Sequence, residues 1–205
     1  MNIFFARHGQ TSFNRDNKMQ GLGEIPLTTE GKKYIHKVAV ASANYKINRI
    51  YVSNILRAKQ TAKIYQNTFN ASVEIDDRLN EIDVGDFEGK LFKEVKEDYS
   101  YVLEQWQLGK FNHVVIPNGE KFSSLEKRIK SFLDNIIQEG DSFNADYSIL
   151  VVSHFVVIKS IISILLTQSL SSSNGLRINL GNITKFSFEK EKGWSLQYMN
   201  LPIIN

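Results

Sequence analysis

Residues that can bind and attack an anion follow short apolar segments at three distant places in this chain. Arg7 and His8 come directly after NIFFA, Arg57 lies one helical turn after RIYVS, and His154 follows SILVVS. An arginine beside a histidine is unfavourable unless an anion lies between them, so the Arg7–His8 pair predicts an anionic ligand. A guanidinium can hold two phosphate oxygens at once, and a neutral imidazole nitrogen can attack phosphorus.

Each of these residues, taken singly, also has a structural explanation. A histidine after a strand is more often a hydrogen-bonded structural residue than a catalyst, and an arginine early in a helix is usually solvated. Glu81, in LNEIDVG, could simply accept N–H bonds within a turn. Their joint placement favours function, because ligands of α/β folds collect at the carboxyl ends of strands. Such side chains, with the N–H groups of a following helix, would form a pocket for a tetrahedral dianion.

The order of the apolar segments predicts the elements that position these residues. Buried strands are expected over 2–6, 49–53 and 148–153, with a shorter strand around 73–75. Near the end, ITKFSFE and WSLQYMN alternate as two further strands. Strands alternating with helices indicate a three-layer α/β/α sandwich with a mainly parallel central sheet. No repeat or linker divides the chain, so we expect residues 1–205 to form a single domain.

Helical periodicity fills the segments between these strands. Thr28 is expected to cap the first long helix, and Ser53 or Asn54 the second, LRAKQTAKIYQ. One amphipathic helix is predicted over 90–108 and another after Pro117. The apolar face of the latter consists of Phe122, Leu125, Ile129, Phe132, Leu133 and Ile136.

The most apolar stretch of the chain, ILVVSHFVVIKSIISILL, contains His154 and Lys159. It is predicted to be a buried strand that runs into a buried helix through about residue 167, rather than a membrane span. The polar stretch 168–175 is predicted to be a surface loop.

Composition narrows the classes of function. The 205 residues carry 25 Lys+Arg against 22 Asp+Glu, a net charge of +3, with both signs interspersed. Without a basic stripe we expect no nucleic-acid partner, and we expect no membrane partner. The sequence has no cysteine, which excludes disulfides and thiolate chemistry, and it shows no export signal. A cytoplasmic location is therefore expected, and a homodimer is left open.

Six motifs carry a resemblance to a known family. In chain order they are ARHGQTSFN, MQGLGEIPLTTEG, YVSNILRAKQTA, LNEIDVGDFEG, PNGEKFSSLEKR and VVSHF. Together they resemble the histidine phosphatase superfamily, in its phosphoglycerate-mutase-like branch (branch 1). The motifs extend from residue 3 to residue 160, and NLGNITKFSFE resembles the family's closing segment. The resemblance implies that family's fold and a phosphatase of small phosphomonoesters.

The resemblance also implies roles for single residues. His8 matches the nucleophile that becomes phosphohistidine. Glu81 matches the acid/base that protonates the leaving oxygen and then deprotonates water, a role for which general catalysis typically contributes about a hundredfold to ten-thousandfold. The residues that match the family's phosphate-binding set are Arg7, Asn14, Gln20, Gly21, Arg57 and His154.

No metal and no cofactor is required by this scheme, since arginines and histidines supply the positive charge. His36 and His113 lie outside the motifs and are expected to be surface residues. One position departs from the family, which usually has glycine after the second histidine, whereas this chain has Phe155. We expect Phe155 to affect the range of substrates more than activity.

Two outcomes remain open for the phosphoryl group, transfer to water or return to a second hydroxyl of the substrate. The glycolytic mutases of the family have a longer, more basic insertion after the Glu81 motif, and the modest segment 90–116 favours a hydrolase. A mutase, or a non-catalytic phospho-ligand-binding module that would have lost His8 or Glu81, is the alternative.

Aromatic residues in this region could form a lid, although packing is the better explanation of Phe92 and Trp106. The lid candidates are Phe87, Phe92, Trp106 and Phe111.

The substrate itself cannot be read from these motifs. Sugar phosphates, phosphoglycerate, nucleotide-derived phosphates and the ribazole phosphate of cobalamin assembly all remain open.

Overall fold

A six-stranded sheet runs through the centre of the molecule, which a computed structural model describes at residues 1–140, 147–170 and 175–201. Its strands lie in the order β3-β2-β4-β1-β5-β6. The first four in chain order pair in parallel, and β5 and β6 add antiparallel pairings at one side. This confirms the predicted mainly parallel sheet. In chain order the strands are Asn2–Arg7, Arg49–Val52, Ser72–Ile75, Ser148–Ser153, Ile183–Glu189 and Gly193–Leu201.

Helices connect the strands within the same described ranges. From α1 to α7 they are Ser12–Arg15, Thr29–Ala41, Leu56–Phe69, Phe92–Asp98, Ser100–Gln107, Phe122–Gly140 and Phe155–Thr167. Short 3₁₀ turns occur at Asp77–Leu79, Gly85–Phe87 and Phe111–His113.

The sheet separates two hydrophobic clusters, because side chains alternate along each strand. In β1, Ile3 and Phe5 pack in one cluster with apolar residues of α6 and α7. Phe4 and Ala6 point the other way and pack with residues of α2 and α3. The result is the predicted three-layer α/β/α arrangement.

The strand register aligns the residues that follow β1, β2 and β4. Arg7 pairs with Ser153, so His8 and His154 are the next residues beyond the paired ends of two adjacent strands. The amide of His8 donates to the carbonyl of Ser153 at 3.0 Å. On the other side of β4, Val52 pairs with Val152, which puts Ser53 beside the same end.

Several sequence predictions are confirmed at the level of single residues. Thr28 caps α2, since its hydroxyl accepts the Gly31 N–H at 2.9 Å. Every residue of β4 is buried, and α7 extends to Thr167. All six residues predicted for the apolar face of the helix after Pro117 are buried.

The single helix predicted over 90–108 is wrong, because the chain forms two helices that meet at Tyr99. The backbone of Tyr99 leaves helical geometry (φ −131°, ψ 41°), and its N–H still bonds to Val95 and closes α4. The Tyr99 ring packs on Phe87 at 4.9 Å between ring centroids. The two helices therefore meet at a residue whose side chain packs against the core.

The predicted cap of α3 is also wrong. The helix begins at Leu56, with neither Ser53 nor Asn54 at the capping position. The Leu56 N–H donates instead to the carboxylate of Glu24 at 2.7 Å, from a distant loop. At this helix start the Ser53 hydroxyl accepts the Ile55 N–H, at 3.2 Å, and its other hydrogen bonds are to residues of the functional site.

Two further predictions concern the loop after α7 and the membrane. Residues 171–174 of the predicted surface loop 168–175 lie outside the described residues. Within the described ranges, no helix combines the length and apolar character needed to cross a membrane.

Candidate active site

A cavity of about 490 Å³ opens at the carboxyl ends of β1 and β4. Its polar lining includes five residues that the sequence singled out, and the rest is mostly apolar. The five are Arg7, His8, Asn14, Gln20 and Glu81. The strand ends therefore bring these predicted residues to one cavity.

The hydrogen bonds of His8 determine which of its nitrogens is free. Nδ1 lies 2.7 Å from the carbonyl oxygen of Gly9, and since a carbonyl can only accept, Nδ1 carries the proton. The Gly9 N–H is itself held by the hydroxyl of Thr61 at 3.1 Å, which fixes this turn. Nε2 is then the unprotonated nitrogen of a neutral ring, and the ring lines the cavity.

The electrostatics of the site keep His8 neutral. Burial lowers the pKa of His8 well below its ordinary value, and the guanidiniums of Arg57 and Arg7 lower it further. The sequence correctly predicted a disfavoured imidazolium, but burial rather than the arginines is its largest cause. The neutral ring retains the lone pair that a nucleophile needs.

His154 lies next to His8, with 5.2 Å between the ring centroids, and it is fully buried. Its Nε2 is 2.7 Å from the hydroxyl oxygen of Ser53. Ser53 donates its only proton to Asn80 Oδ1 at 2.8 Å, so Nε2 of His154 must be the donor. Asn80 is oriented by the Asn54 N–H, which donates to the same Oδ1 at 2.9 Å. Because this series of hydrogen bonds engages only Nε2, Nδ1 of His154 remains buried and without a partner.

The two arginines are held by backbone carbonyls rather than by carboxylates. Arg7 donates through Nη1 to Ile178 O at 2.7 Å. Arg57, fully buried, donates to the carbonyls of Gly23 at 3.0 Å and Gly21 at 2.7 Å. Burial lowers the pKa of Arg7 to about 10 and that of Arg57 to about 10, so both stay charged at neutral pH.

Gly21 can orient Arg57 because the loop packs tightly there. A Cβ at this position would come within 2.8 Å of the backbone of Ile82 and Val84, so a side chain would displace the loop. Gly21, like Arg57 and His154, contributes no atoms to the cavity surface. These three residues support the cavity from behind.

Unpartnered polar atoms concentrate at this site. Among the buried side chains of the described residues, polar atoms without any hydrogen-bond partner occur in six residues, and four of these, Arg7, Gln20, Arg57 and His154, belong to the site. The other two are Tyr65 and Glu88. Leaving a buried donor unpaired costs about 1–3 kcal/mol. A phosphoryl group offers several oxygens and would supply acceptors for the unpaired N–H groups of Arg7, Gln20 and Arg57.

Asn14 and Gln20 are oriented by Thr11, a residue that the sequence reading missed. The Thr11 hydroxyl lies 3.0 Å from both Asn14 Oδ1 and Gln20 Oε1, and the Thr11 N–H donates to Asn14 Oδ1 at 3.0 Å. With both side-chain oxygens engaged, the amide NH₂ groups are the ends left for a ligand. The spacing of Thr11 and Asn14 as a helix cap was the available signal.

Glu81 is the only carboxylate that lines the cavity among the described residues, and it is 5% exposed. Its two oxygens accept the N–H groups of Ile82 at 3.1 Å and Val156 at 3.3 Å. Burial raises the pKa of Glu81, although the Arg57 guanidinium and these hydrogen bonds act in the opposite direction. A raised pKa favours the protonated carboxyl, which is the form that can donate a proton to a leaving oxygen.

The structure divides the lid candidates into two groups. Phe92 and Trp106 both line the cavity. Packing as the explanation of Phe92 is wrong, because its side chain is 41% exposed. Trp106 also packs against Phe122, with 5.1 Å between the ring centroids. Phe87 is fully buried in the core, and Phe111 stacks on Phe122 at 4.4 Å outside the cavity.

Ser53, Asn80 and Lys159 are the other site residues that sequence reasoning did not assign. Ser53 lies between β2 and α3. A serine at such a position is expected to cap the helix rather than to bind a histidine. Lys159 was the one cation of the apolar stretch that became α7, which was a usable signal. His36 and His113 are exposed, as expected.

Comparisons with known proteins agree with this geometry. A family model described as histidine phosphatase superfamily (branch 1) matches residues 3–202. A probable phosphoglycerate mutase GpmB of Yersinia enterocolitica is 27% identical over 204 residues, covering 96% of this chain and 91% of that protein.

Solved structures share the fold. A putative alpha-ribazole-5'-P phosphatase from Escherichia coli superimposes with a TM-score of 0.87 at 24% identity, covering 100% of this chain and 98% of the other. A mycobacterial glucosyl-3-phosphoglycerate phosphatase, in complex with VO3, gives a TM-score of 0.87 at 21% identity, with 97% and 98% covered. With a family match over nearly its whole length, the chain belongs to the histidine phosphatase superfamily, branch 1.

Proposed function

We propose that this protein is a phosphatase that hydrolyses small phosphomonoesters through a phosphohistidine on His8. The observation that carries the proposal is the hydrogen bond from His8 Nδ1 to Gly9 O, which leaves Nε2 as a free nucleophile at the cavity. The unpartnered nitrogens of the neighbouring residues support a phosphoryl group as the bound electrophile.

In the first step Nε2 of His8 attacks phosphorus, and the bond from phosphorus to the ester oxygen breaks. Glu81 donates its proton to that oxygen, which leaves as an alcohol. The charge on the remaining phosphoryl oxygens is stabilised by the phosphate clamp, which we define as Arg7, Arg57 and His154, with help from the Asn14 amide. His154 takes part through Nδ1 once that nitrogen is protonated, a state that the bound phosphoryl anion favours.

In the second step the ionised Glu81 takes a proton from water, and the water oxygen attacks the phosphohistidine. The phosphorus–nitrogen bond breaks, inorganic phosphate is released and His8 regains its lone pair. At the end of the cycle His8 is neutral again, and Glu81 carries the proton that it took from water.

The proposal assigns no role to a metal or another cofactor. Two buried guanidiniums supply positive charge where phosphoryl oxygens would lie. In the described ranges no group of three or more histidine or acidic side chains could hold a metal ion. Dialysis against EDTA should leave the rate of phosphate release unchanged, and a loss that added Mg²⁺ restores would overturn metal independence.

A phosphoglycerate-mutase activity is the second candidate, because the curated relatives at 24–27% identity are named probable phosphoglycerate mutases. The site chemistry is the same for both reactions, which differ in whether water or a substrate hydroxyl accepts the phosphoryl group. We further propose that residues 1–205 form one catalytic domain acting in the cytoplasm on a small-molecule substrate. Neither a nucleic acid nor a membrane is a proposed partner.

The deciding experiment is a panel of phosphomonoesters assayed for phosphate release, with 3-phosphoglycerate also assayed for isomerisation. We expect phosphate release that His8→Ala abolishes. His36→Ala, which removes an exposed histidine, is the matched control and should retain full activity. Isomerisation without phosphate release would identify a mutase, and activity that survives His8→Ala would overturn the proposed nucleophile.

A further inference from the structure

The phosphate clamp and the catalytic pair use only part of the cavity. Its volume of about 490 Å³ is within the range of roughly 300–1,000 Å³ typical of pockets that hold whole organic molecules. The unused lining is largely apolar and aromatic. It includes Met19, Phe92, Leu103, Trp106, Phe155 and Val156.

One cation interrupts this apolar lining on the α7 side. Lys159 is half-buried and lines the cavity. None of the ion pairs among the described residues includes it. Its Nζ lies 5.5 Å from the ring centroid of Phe155, one helical turn earlier on the same face of α7. Cations are attracted to the face of an aromatic ring, so Phe155 helps to hold the ammonium in place.

Phe155 also connects Lys159 to the phosphate clamp. The guanidinium carbon of Arg7 lies 4.9 Å from the same ring centroid. Two cations of the cavity lining therefore lie within 5.5 Å of the centroid of one aromatic ring.

The charges of the lining are not balanced by a phosphomonoester alone. Among the described residues, the cationic side chains on the cavity surface are Arg7, Lys18 and Lys159, and the only acidic one there is Glu81. A phosphoryl dianion would be matched by Arg7 together with Arg57 behind it. Glu81 is neutral when it acts as the acid, so the lysines retain uncompensated charge.

We propose that Lys159 binds a second anionic group, a carboxylate or a phosphate, on the organic part of the substrate. The substrate class is then a phosphomonoester whose two anionic ends are joined by an apolar or aromatic body. This deepens the proposed phosphatase function and rests on it for the position of the phosphoryl group. Burial lowers the pKa of Lys159, and an anionic partner would restore it.

Lys159→Met tests this assignment, because methionine keeps the apolar stem and removes the charge. The substrates are phosphate esters of ω-hydroxy carboxylic acids with three to six carbons, each paired with the alkyl phosphate of equal length. A half-exposed charge-assisted bond predicts a roughly tenfold loss of kcat/KM for the carboxylated esters only. Lys159→Arg, which keeps the charge, should restore most of the preference.

Lys185→Met is the matched control. Lys185 also lies over a ring, with Nζ 5.4 Å from the centroid of Phe4, but it is on β5 and does not line the cavity. Its substitution should leave the ratio of carboxylated to alkyl substrates unchanged. An equal change of this ratio in both variants would overturn the assignment of Lys159.

Binding of phosphonates separates this inference from the proposed catalysis, since a phosphonate cannot be hydrolysed. Calorimetry should show that ω-phosphonocarboxylates bind more tightly than alkylphosphonates to the wild type and equally to Lys159→Met. An α,ω-bisphosphonate that binds more tightly still would identify phosphate as the second group.

Equal binding in the wild type, with p-nitrophenyl phosphate still hydrolysed, would overturn the second-anion site and leave the phosphatase intact. The reverse result, a binding preference without hydrolysis, would support the second-anion site and overturn the catalytic proposal.

Discussion

The Ser53 hydroxyl offers a sharp test of how His154 is positioned. It accepts Nε2–H of His154 at 2.7 Å and the Ile55 N–H at 3.2 Å, and it donates to Asn80 at 2.8 Å. Ser53→Ala removes this oxygen from a fully buried place. The N–H of His154 then has no acceptor, and the ring is free to rotate or to move its proton to Nδ1.

The cost follows from these contacts. A buried donor that loses its partner costs about 1–3 kcal/mol. For a chain of 205 residues, each kcal/mol lowers Tm by roughly 2–4 °C. If the same free energy is lost from the transition state, kcat/KM falls about 5- to 150-fold, since about 1.4 kcal/mol is a factor of ten.

The assay pairs thermal unfolding with phosphate release and vanadate inhibition. Ser42→Ala is the control, because Ser42 is buried, donates to Val38 O at 2.7 Å and lies at the end of α2, outside the cavity. Both variants should lose stability, and only Ser53→Ala should lose activity and vanadate affinity. Ser53→Ala with wild-type kinetics, or an equal loss in Ser42→Ala, would refute the reasoning.

Three other predictions test the remaining site residues. Glu81→Gln should slow esters of poor leaving groups far more than aryl esters, and an equal loss across a leaving-group series would remove the acid role. Arg57→Ala should weaken inhibition by vanadate at least tenfold, given about 1.5–3 kcal/mol for a charged hydrogen bond, so unchanged inhibition would count against the phosphate clamp. The free energy of unfolding, measured with urea, should decrease as the pH is lowered from 6.5. The folded state lowers the pKa of His8 and of His154, so the unfolded chain binds more protons at these pH values. His8→Gln should reduce that dependence by about 1.4 kcal/mol per pH unit, and an unaltered slope would show that His8 is not buried in its neutral form.

The strands and their ends were predictable because their apolar runs are local patterns. A parallel sheet aligns the carboxyl ends of β1, β2 and β4, so residues as distant as His8 and His154 meet without any long-range signal in the sequence. The face of α6 was equally clear, since its apolar positions repeat every three or four residues.

The features that could not be predicted from the sequence depend on tertiary contacts. The break at Tyr99 has no glycine or proline to mark it, and it arises where a tyrosine ring packs on Phe87. Ser53 has the chemistry of a cap, and only the fold places it 2.7 Å from His154. The helix start that it was expected to cap is bound by Glu24, which lies far away in the chain.

The covalent intermediate is the feature on which the whole mechanism depends. The wild type should be mixed with a rapidly hydrolysed ester, quenched in alkali, where phosphohistidine survives, and digested for mass spectrometry. We expect a phosphoryl group on His8, bonded through Nε2, and none on His8→Ala. Phosphate release with no phosphorylated peptide, or with the label on His154 instead, would contradict the account.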